Sequence, residues 1–112
     1  MGMPAKARWA VAEIKDLCGR GRILVAHEIC DTFPTRSEAV ATLAEILGEL
    51  SSADFAHTDE LEHCLADVYG VIVEGAGWYL KLTVVEAQPA VLVISFHRLE
   101  RPLKTRGGMV EP

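Results

Sequence analysis

The sequence predicts an α+β domain in which two or three N-terminal helices pack on one face of a small antiparallel sheet. Three observations carry this expectation. Residues 78–97, WYLKLTVVEAQPAVLVISFH, alternate in the manner of two paired strands. Residues 35–50 combine a helix start signal with an apolar stripe at helical spacing. Helical periodicity belongs to the first half of the chain and strand-like runs to the second, and such segregation marks α+β rather than alternating α/β architecture.

The elements follow in order. A first helix is expected from Pro4 to Cys18, because Trp9, Val11, Ile14 and Leu17 recur at helical spacing, and Gly19 and Gly21 are natural left-handed stops. Ile23 to Phe33 fits a short strand or a helical turn before Pro34 ends it, and is taken as helical. Thr35-Arg36-Ser37-Glu38 is a capping box, in which the Thr35 hydroxyl can accept from the Glu38 amide. Val40, Leu43, Ile46, Leu47 and Leu50 then make one apolar stripe, which Ser51-Ser52 closes. The stretch from Ala53 to about Cys64 is read as a loop or short turn, followed by a strand to Val73. Glu74-Gly75-Ala76-Gly77 is a turn-like link to Trp78, so the sheet is expected to be a meander.

In the hairpin, Trp78, Leu80, Leu82 and Val84 alternate with Tyr79, Lys81, Thr83 and Val85. Leu92, Ile94 and Phe96 alternate with Val91, Val93, Ser95 and His97. With Glu86 to Ala90 as the loop, Val85 lies opposite Val91, Thr83 opposite Val93, Lys81 opposite Ser95 and Tyr79 opposite His97. A slip by one residue would turn one strand's apolar set away from the other's. One face is therefore core, and the other gathers Tyr79, Lys81, Ser95 and His97. The basic run after Phe96, with Pro102 and Gly107-Gly108, is expected to leave the sheet, so that 101–112 forms a flexible tail on a single domain 1–112.

Composition narrows the function classes. Half of the 112 residues are hydrophobic, which excludes a disordered chain. The unbroken apolar runs fall far short of the roughly 20 residues that span a membrane. The start, Met1-Gly2-Met3-Pro4, has no apolar leader core, and the cysteines Cys18, Cys30 and Cys64 are odd in number without paired spacing. Free thiols in a cytoplasmic setting are expected. The net charge of −5 hides an asymmetry: residues 37–77 carry nine acidic and no Lys or Arg side chains, while residues 78–112 carry five basic and three acidic. A polyanion would thus approach through the termini and the hairpin. No glycine-rich nucleotide loop, nucleophile elbow or CxxC pair occurs. His27-x-x-Cys30 and His63-Cys64 fall short of the four ligands in two tight pairs that structural zinc wants, and no metal or other cofactor is expected.

The polar hairpin face has two readings. It is the solvated side of an antiparallel sheet, or it is a site. In the second case a His of near-neutral pKa beside a Tyr and a Lys, followed by Arg98, Arg101, Lys104 and Arg106, holds and cleaves a phosphodiester. Patterning alone leaves both open.

The run Trp78-Tyr79-Leu80-Lys81-Leu82-Thr83-Val84-Val85, followed by Val91-Leu92-Val93-Ile94-Ser95-Phe96, resembles the VYLKITVI and VLIVSF strands of MqsR-type (motility quorum-sensing regulator) toxins. Leu50-Ser51-Ser52-Ala53-Asp54-Phe55 is similar to that family's LSESDF, and Asp67-Val68-Tyr69 to its DVY, at the same spacing from the YLK motif. The resemblance implies a RelE-like fold and the activity of a cytoplasmic endoribonuclease, an mRNA interferase of a bacterial toxin–antitoxin system. Such a hydrolase cuts mRNA without a metal and is silenced by a cognate antitoxin protein. Tyr79 falls on the family's functional tyrosine and Lys81 on the lysine of the same motif. His57 and His97 stand where the family has lysines, and Ala66 where it has a glutamine. Histidine transfers protons readily at neutral pH, its unperturbed pKa being about 6.5. The resemblance therefore implies His97 and His57 as the acid/base pair, Tyr79 orienting or protonating, and Lys81, Arg98 and Arg101 binding RNA. A reading from a different class is a non-catalytic protein-binding module of the same fold, engaging a partner through the acidic helix Arg36–Leu50 or an exposed strand edge.

Overall fold

The structure, a computed structural model, describes residues 7–112. In chain order the elements are α1 (Val11–Gly19), β1 (Ile23–Val25), α2 (His27–Cys30), α3 (Arg36–Gly48), a 3-10 turn (Ser52–Asp54), β2 (Phe55–Glu60), β3 (Leu65–Val73), β4 (Ala76–Val85), β5 (Ala90–Arg98), β6 (Leu103–Thr105) and β7 (Gly108–Val110). Five strands form one sheet in the order β1-β5-β4-β3-β2, and β6 pairs with β7 apart from it. Among the described residues the fold is α+β with three helices, and the sheet is antiparallel except that β1 runs parallel to β5. Among the described residues no helix is long and apolar enough to cross a membrane.

The first helix starts later than its periodicity suggested; the expected residues 4–6 lie outside the described residues, and Arg8 and Trp9 are not helical. Their backbone amides are taken elsewhere. The carboxylate of Asp67 on β3 accepts from the Arg8 N–H at 2.9 Å and the Trp9 N–H at 3.1 Å. The helix ends as a Schellman turn: Gly21 sits at φ 76°, its N–H reaches the Cys18 carbonyl at 3.0 Å, and the Arg22 N–H reaches that of Leu17 at 2.9 Å. Of the two glycines, only Gly21 takes the left-handed conformation. That turn throws the chain into β1, so Ile23–Val25 is a strand and only His27–Cys30 is helical. Helix α3 begins as its capping residue dictates, with the Thr35 hydroxyl accepting from the Glu38 amide at 3.1 Å. Ile14 and Leu17 of α1 and Leu43 and Leu47 of α3 are buried with Leu80, Leu82, Val91 and Val93 of the sheet. Each such side chain fully withdrawn from water stabilises the fold by roughly 1.5–3 kcal/mol.

The expected loop between Ala53 and Cys64 is for the most part strand β2, paired antiparallel with β3. Its pattern hides because the register shifts between Phe55 and His57, which breaks the simple alternation. Strands β3 and β4 join through a two-residue turn, Glu74-Gly75, with φ of 51° and 80°. Positive φ at both positions is the geometry that matches the right-handed twist of a tight hairpin.

The β4–β5 hairpin is in the expected register at its base, where Tyr79 faces His97 and Lys81 faces Ser95. Toward the tip it differs. Val85 faces Ala90 and Leu82 faces Val93, because an extra residue, Ile94, is inserted between the partners of Leu82 and Lys81. The turn is thus Glu86–Pro89 rather than Glu86–Ala90. This bulge inverts the faces of the outer half of β5, so Val91 and Val93 enter the core and Leu92 and Ile94 are only half-buried.

The segment expected to fray instead folds back as the β6–β7 hairpin, burying Thr105 and Val110. It lies on the sheet face opposite the helices. Gly70 pairs with Tyr79, and a Cβ built there would stand 3.0 Å from Thr105 Cγ2, 3.1 Å from Leu103 Cδ2 and 3.2 Å from Val110 Cγ2. A larger residue would lift the hairpin from the sheet. Its turn is tied down by the Arg106 N–H donating to the Phe55 carbonyl at 2.9 Å and the Gly107 N–H to that of Ala53 at 2.8 Å.

Candidate functional site

The β6–β7 hairpin covers the Gly70 end of this face and leaves the side chains of β4 and β5 accessible beside it. Tyr79 and His97, opposed in register, stack with ring centroids 4.8 Å apart and planes 10° from parallel. Next along β4, the Lys81 ammonium lies 5.8 Å from the Tyr79 ring centroid. A cavity of about 280 Å³ opens over Tyr79 and His97, walled by Leu99, Arg101, Pro102 and Leu103. A second of about 560 Å³ lies on the other side of Leu103, beside His57, Phe55, Lys104 and Arg106.

His97 is exposed, and its Nδ1 lies 2.9 Å from the Arg98 carbonyl. A carbonyl only accepts, so Nδ1 carries the proton and the neutral ring presents its Nε2 lone pair to solvent. The backbone thereby fixes the tautomer that a general base requires.

From the opposite edge of the sheet, β2 contributes an acidic link. Asp59 accepts from Lys81 Nζ through Oδ2 at 2.9 Å and from His57 Nε2 through Oδ1 at 3.1 Å. The hydrogen bond from Lys81 holds the Asp59 carboxyl below its ordinary value, with the charges of Lys81 and His57 adding to it against the opposing effect of burial. Burial alone would pull the Lys81 ammonium down, but Asp59 and the Tyr79 side chain outweigh it and leave its pKa raised. Lys81 is therefore a fixed positive charge at neutral pH, with a side chain only 16% exposed.

Of the residues singled out in the sequence, Tyr79, Lys81 and His97 are brought together, and Arg101 lines the same opening. His57 is not beside His97. Their strands are separated by β3 and β4, and at about 4.8 Å between neighbouring strands the two backbones stand roughly 15 Å apart. His57 reaches the centre only through Asp59 and Lys81. Arg98 projects to the other face, where its guanidinium lies 5.9 Å from the Trp78 ring centroid, and Trp78 stacks on Phe96 at 4.5 Å. The sequence does not mark Asp59, because a stretch without clean alternation has the look of a loop; with β2 a strand, His57 and Asp59 fall two residues apart on one face. The three cysteines are free, and among the described residues no group of three or more His, Cys, Asp or Glu side chains gathers to hold a metal ion.

Set against known proteins, the chain matches no family model and no curated protein.

Proposed function

We propose that the chain is a metal-independent endoribonuclease of the MqsR-like, RelE-like toxin type, acting on mRNA in the bacterial cytoplasm and restrained by an antitoxin protein. The observation that supports it best is the stacked Tyr79–His97 pair with Lys81 alongside, on an open sheet face beside Arg101. In this reading His97 Nε2 removes the proton of a ribose 2′-OH, and the freed oxygen attacks the adjacent phosphorus. The bond to the 5′-oxygen breaks, and that oxygen takes a proton from the Tyr79 hydroxyl, giving a 2′,3′-cyclic phosphate and a 5′-OH end. Lys81 and Arg101 hold the charge that grows on the phosphate oxygens. His57, being strands away from His97, acts through Asp59 rather than on the same phosphate.

The test is cleavage of single-stranded RNA in EDTA by wild type, His97→Ala and Tyr79→Phe. Loss of a positioned acid or base lowers the rate by about 10²–10⁴-fold. Cleavage by His97→Ala at the wild-type rate sinks the assignment of His97, and a wild type that loses its activity in EDTA sinks the metal-independent mechanism. A second reading, a protein-binding module, draws on the groove of about 530 Å³ between α3 and the end of β3, rimmed by Glu45, Glu49, Asp54 and Glu74. A wild type inert toward RNA under all conditions favours that reading.

A further inference from the structure

We propose that Asp59 is the positioning residue of this site: one carboxylate oxygen holds the Lys81 ammonium while the other is held by His57, so that the ammonium is aimed at Tyr79 and at the bound phosphate. This role rests on the ribonuclease reading above. The geometry for it is specific. Oδ1 is engaged by His57 at 3.1 Å and Oδ2 by Lys81 at 2.9 Å, so neither oxygen is left to rotate toward the other partner. A lysine on an open sheet face ordinarily samples many rotamers, whereas this one is anchored at its Nζ and its side chain is only 16% exposed. Of its three N–H donors one goes to Asp59, with the ammonium 5.8 Å from the Tyr79 ring centroid. A donor remains for a phosphate oxygen over the Tyr79–His97 pair.

Stability does not account for the His57–Asp59 half of the cluster. These side chains are 47% and 33% exposed, and ion pairs so open to solvent add little to folding. What the cluster does supply is direction. A single fixed orientation of Lys81 matters most when charge builds on the phosphate, so its loss falls on turnover more than on substrate binding.

The experiment compares steady-state cleavage of a synthetic mixed-sequence single-stranded RNA by wild type, Asp59→Asn, Lys81→Ala and the double variant, with thermal melts of each. Asp59→Asn is isosteric and is expected to melt within about 2 °C of wild type. Its kcat is expected to fall about 10–100-fold with KM changed less than about threefold. In the Lys81→Ala background the same change is expected to add less than about twofold, since the group to be positioned is already gone. A separate readout that needs no activity is the NMR signal of the Lys81 ammonium protons, slowed in exchange in wild type and lost in Asp59→Asn. The proposal is overturned if wild type cleaves and Asp59→Asn keeps its kcat, or if the two losses multiply in the double variant. Persistence of the ammonium signal in Asp59→Asn also overturns it. A wild type that does not cleave RNA overturns the ribonuclease reading itself, and the role of Asp59 with it.

Discussion

Replacing Asp67 probes the tie between the N-terminal segment and the sheet. Its carboxylate has no solvent exposure, and it accepts three hydrogen bonds: from the Arg8 N–H at 2.9 Å, the Thr58 hydroxyl at 2.7 Å and the Trp9 N–H at 3.1 Å. In Asp67→Asn one acceptor oxygen becomes an NH2 group, so at least one of these donors meets another donor. A buried donor left unsatisfied costs about 1–3 kcal/mol, and the surviving bonds lose their charge assistance, giving a loss of about 2–3 kcal/mol. Asp67→Ala orphans all three donors, and water entering the vacated space recovers part, for a loss of about 3–4 kcal/mol. Unfolding entropy near 2.1 cal/mol/K per residue over 112 residues converts each kcal/mol to about 4 °C. The melting temperature of Asp67→Asn should therefore fall by about 8–12 °C. Urea unfolding followed by tryptophan fluorescence checks the free energies, and hydrogen exchange should show the Arg8 and Trp9 amides losing protection. A destabilisation of Asp67→Ala below about 0.5 kcal/mol, the ordinary surface value, would refute the reasoning.

Three other outcomes follow. At Gly77 an added Cβ would collide with the Glu111 carbonyl and come within 2.9 Å of Leu99 Cδ1, so Gly77→Ala should loosen the C-terminal hairpin and speed tryptic cleavage after Lys104 and Arg106, read by mass spectrometry; an unchanged digestion rate counts against the packing. Asp59 has a lowered pKa in the fold, so its contribution to stability is present above its unfolded value of 3.8 and is lost as pH falls through the folded one. Lys81 has a raised pKa, so its contribution is whole below 10.5 and is lost as pH rises through the folded value. Urea titrations across pH should accordingly show a flatter acid limb in Asp59→Asn than in wild type. Burial pushes the Cys18 thiol up to about 11, whereas Cys64 is exposed, so a thiol-disulfide reagent at pH 8 should modify Cys64 rapidly and Cys18 last, as peptide mapping would show.

What could be read from the sequence was whatever rests on neighbouring residues. The Thr35 cap, the α3 stripe, the glycine stop after α1 and the facing of Tyr79 with His97 are all local, and each is found in place. The rest depends on partners far along the chain. Arg8 and Trp9 leave the helix because a carboxylate 58 or more positions away accepts their amides. Ile23–Val25 becomes strand because β5 offers it an edge. The residues after Phe96 read as a tail because their apolar members are few, yet Gly70, without a side chain, leaves the hollow that Leu103, Thr105 and Val110 fill. For the site, the hairpin pattern disclosed Tyr79, Lys81 and His97, while the sidedness of Arg98 and the link through Asp59 needed the β2 strand and the full register.

The extra residue in β5 gives the hairpin an unusual tolerance to a change in length. Ile94 has no opposite number on β4, while Val93 faces Leu82 and Ser95 faces Lys81. Deleting Ile94 would close the two halves into one continuous ladder with every existing pair kept, whereas a deletion nearer the tip or the base would turn the residues between it and the bulge to the other face. The base and the tip of the hairpin can thus be lengthened or shortened separately, like two rulers joined at a sliding mark. Tyr79 and His97 stay in phase whatever the turn at Glu86–Pro89 does.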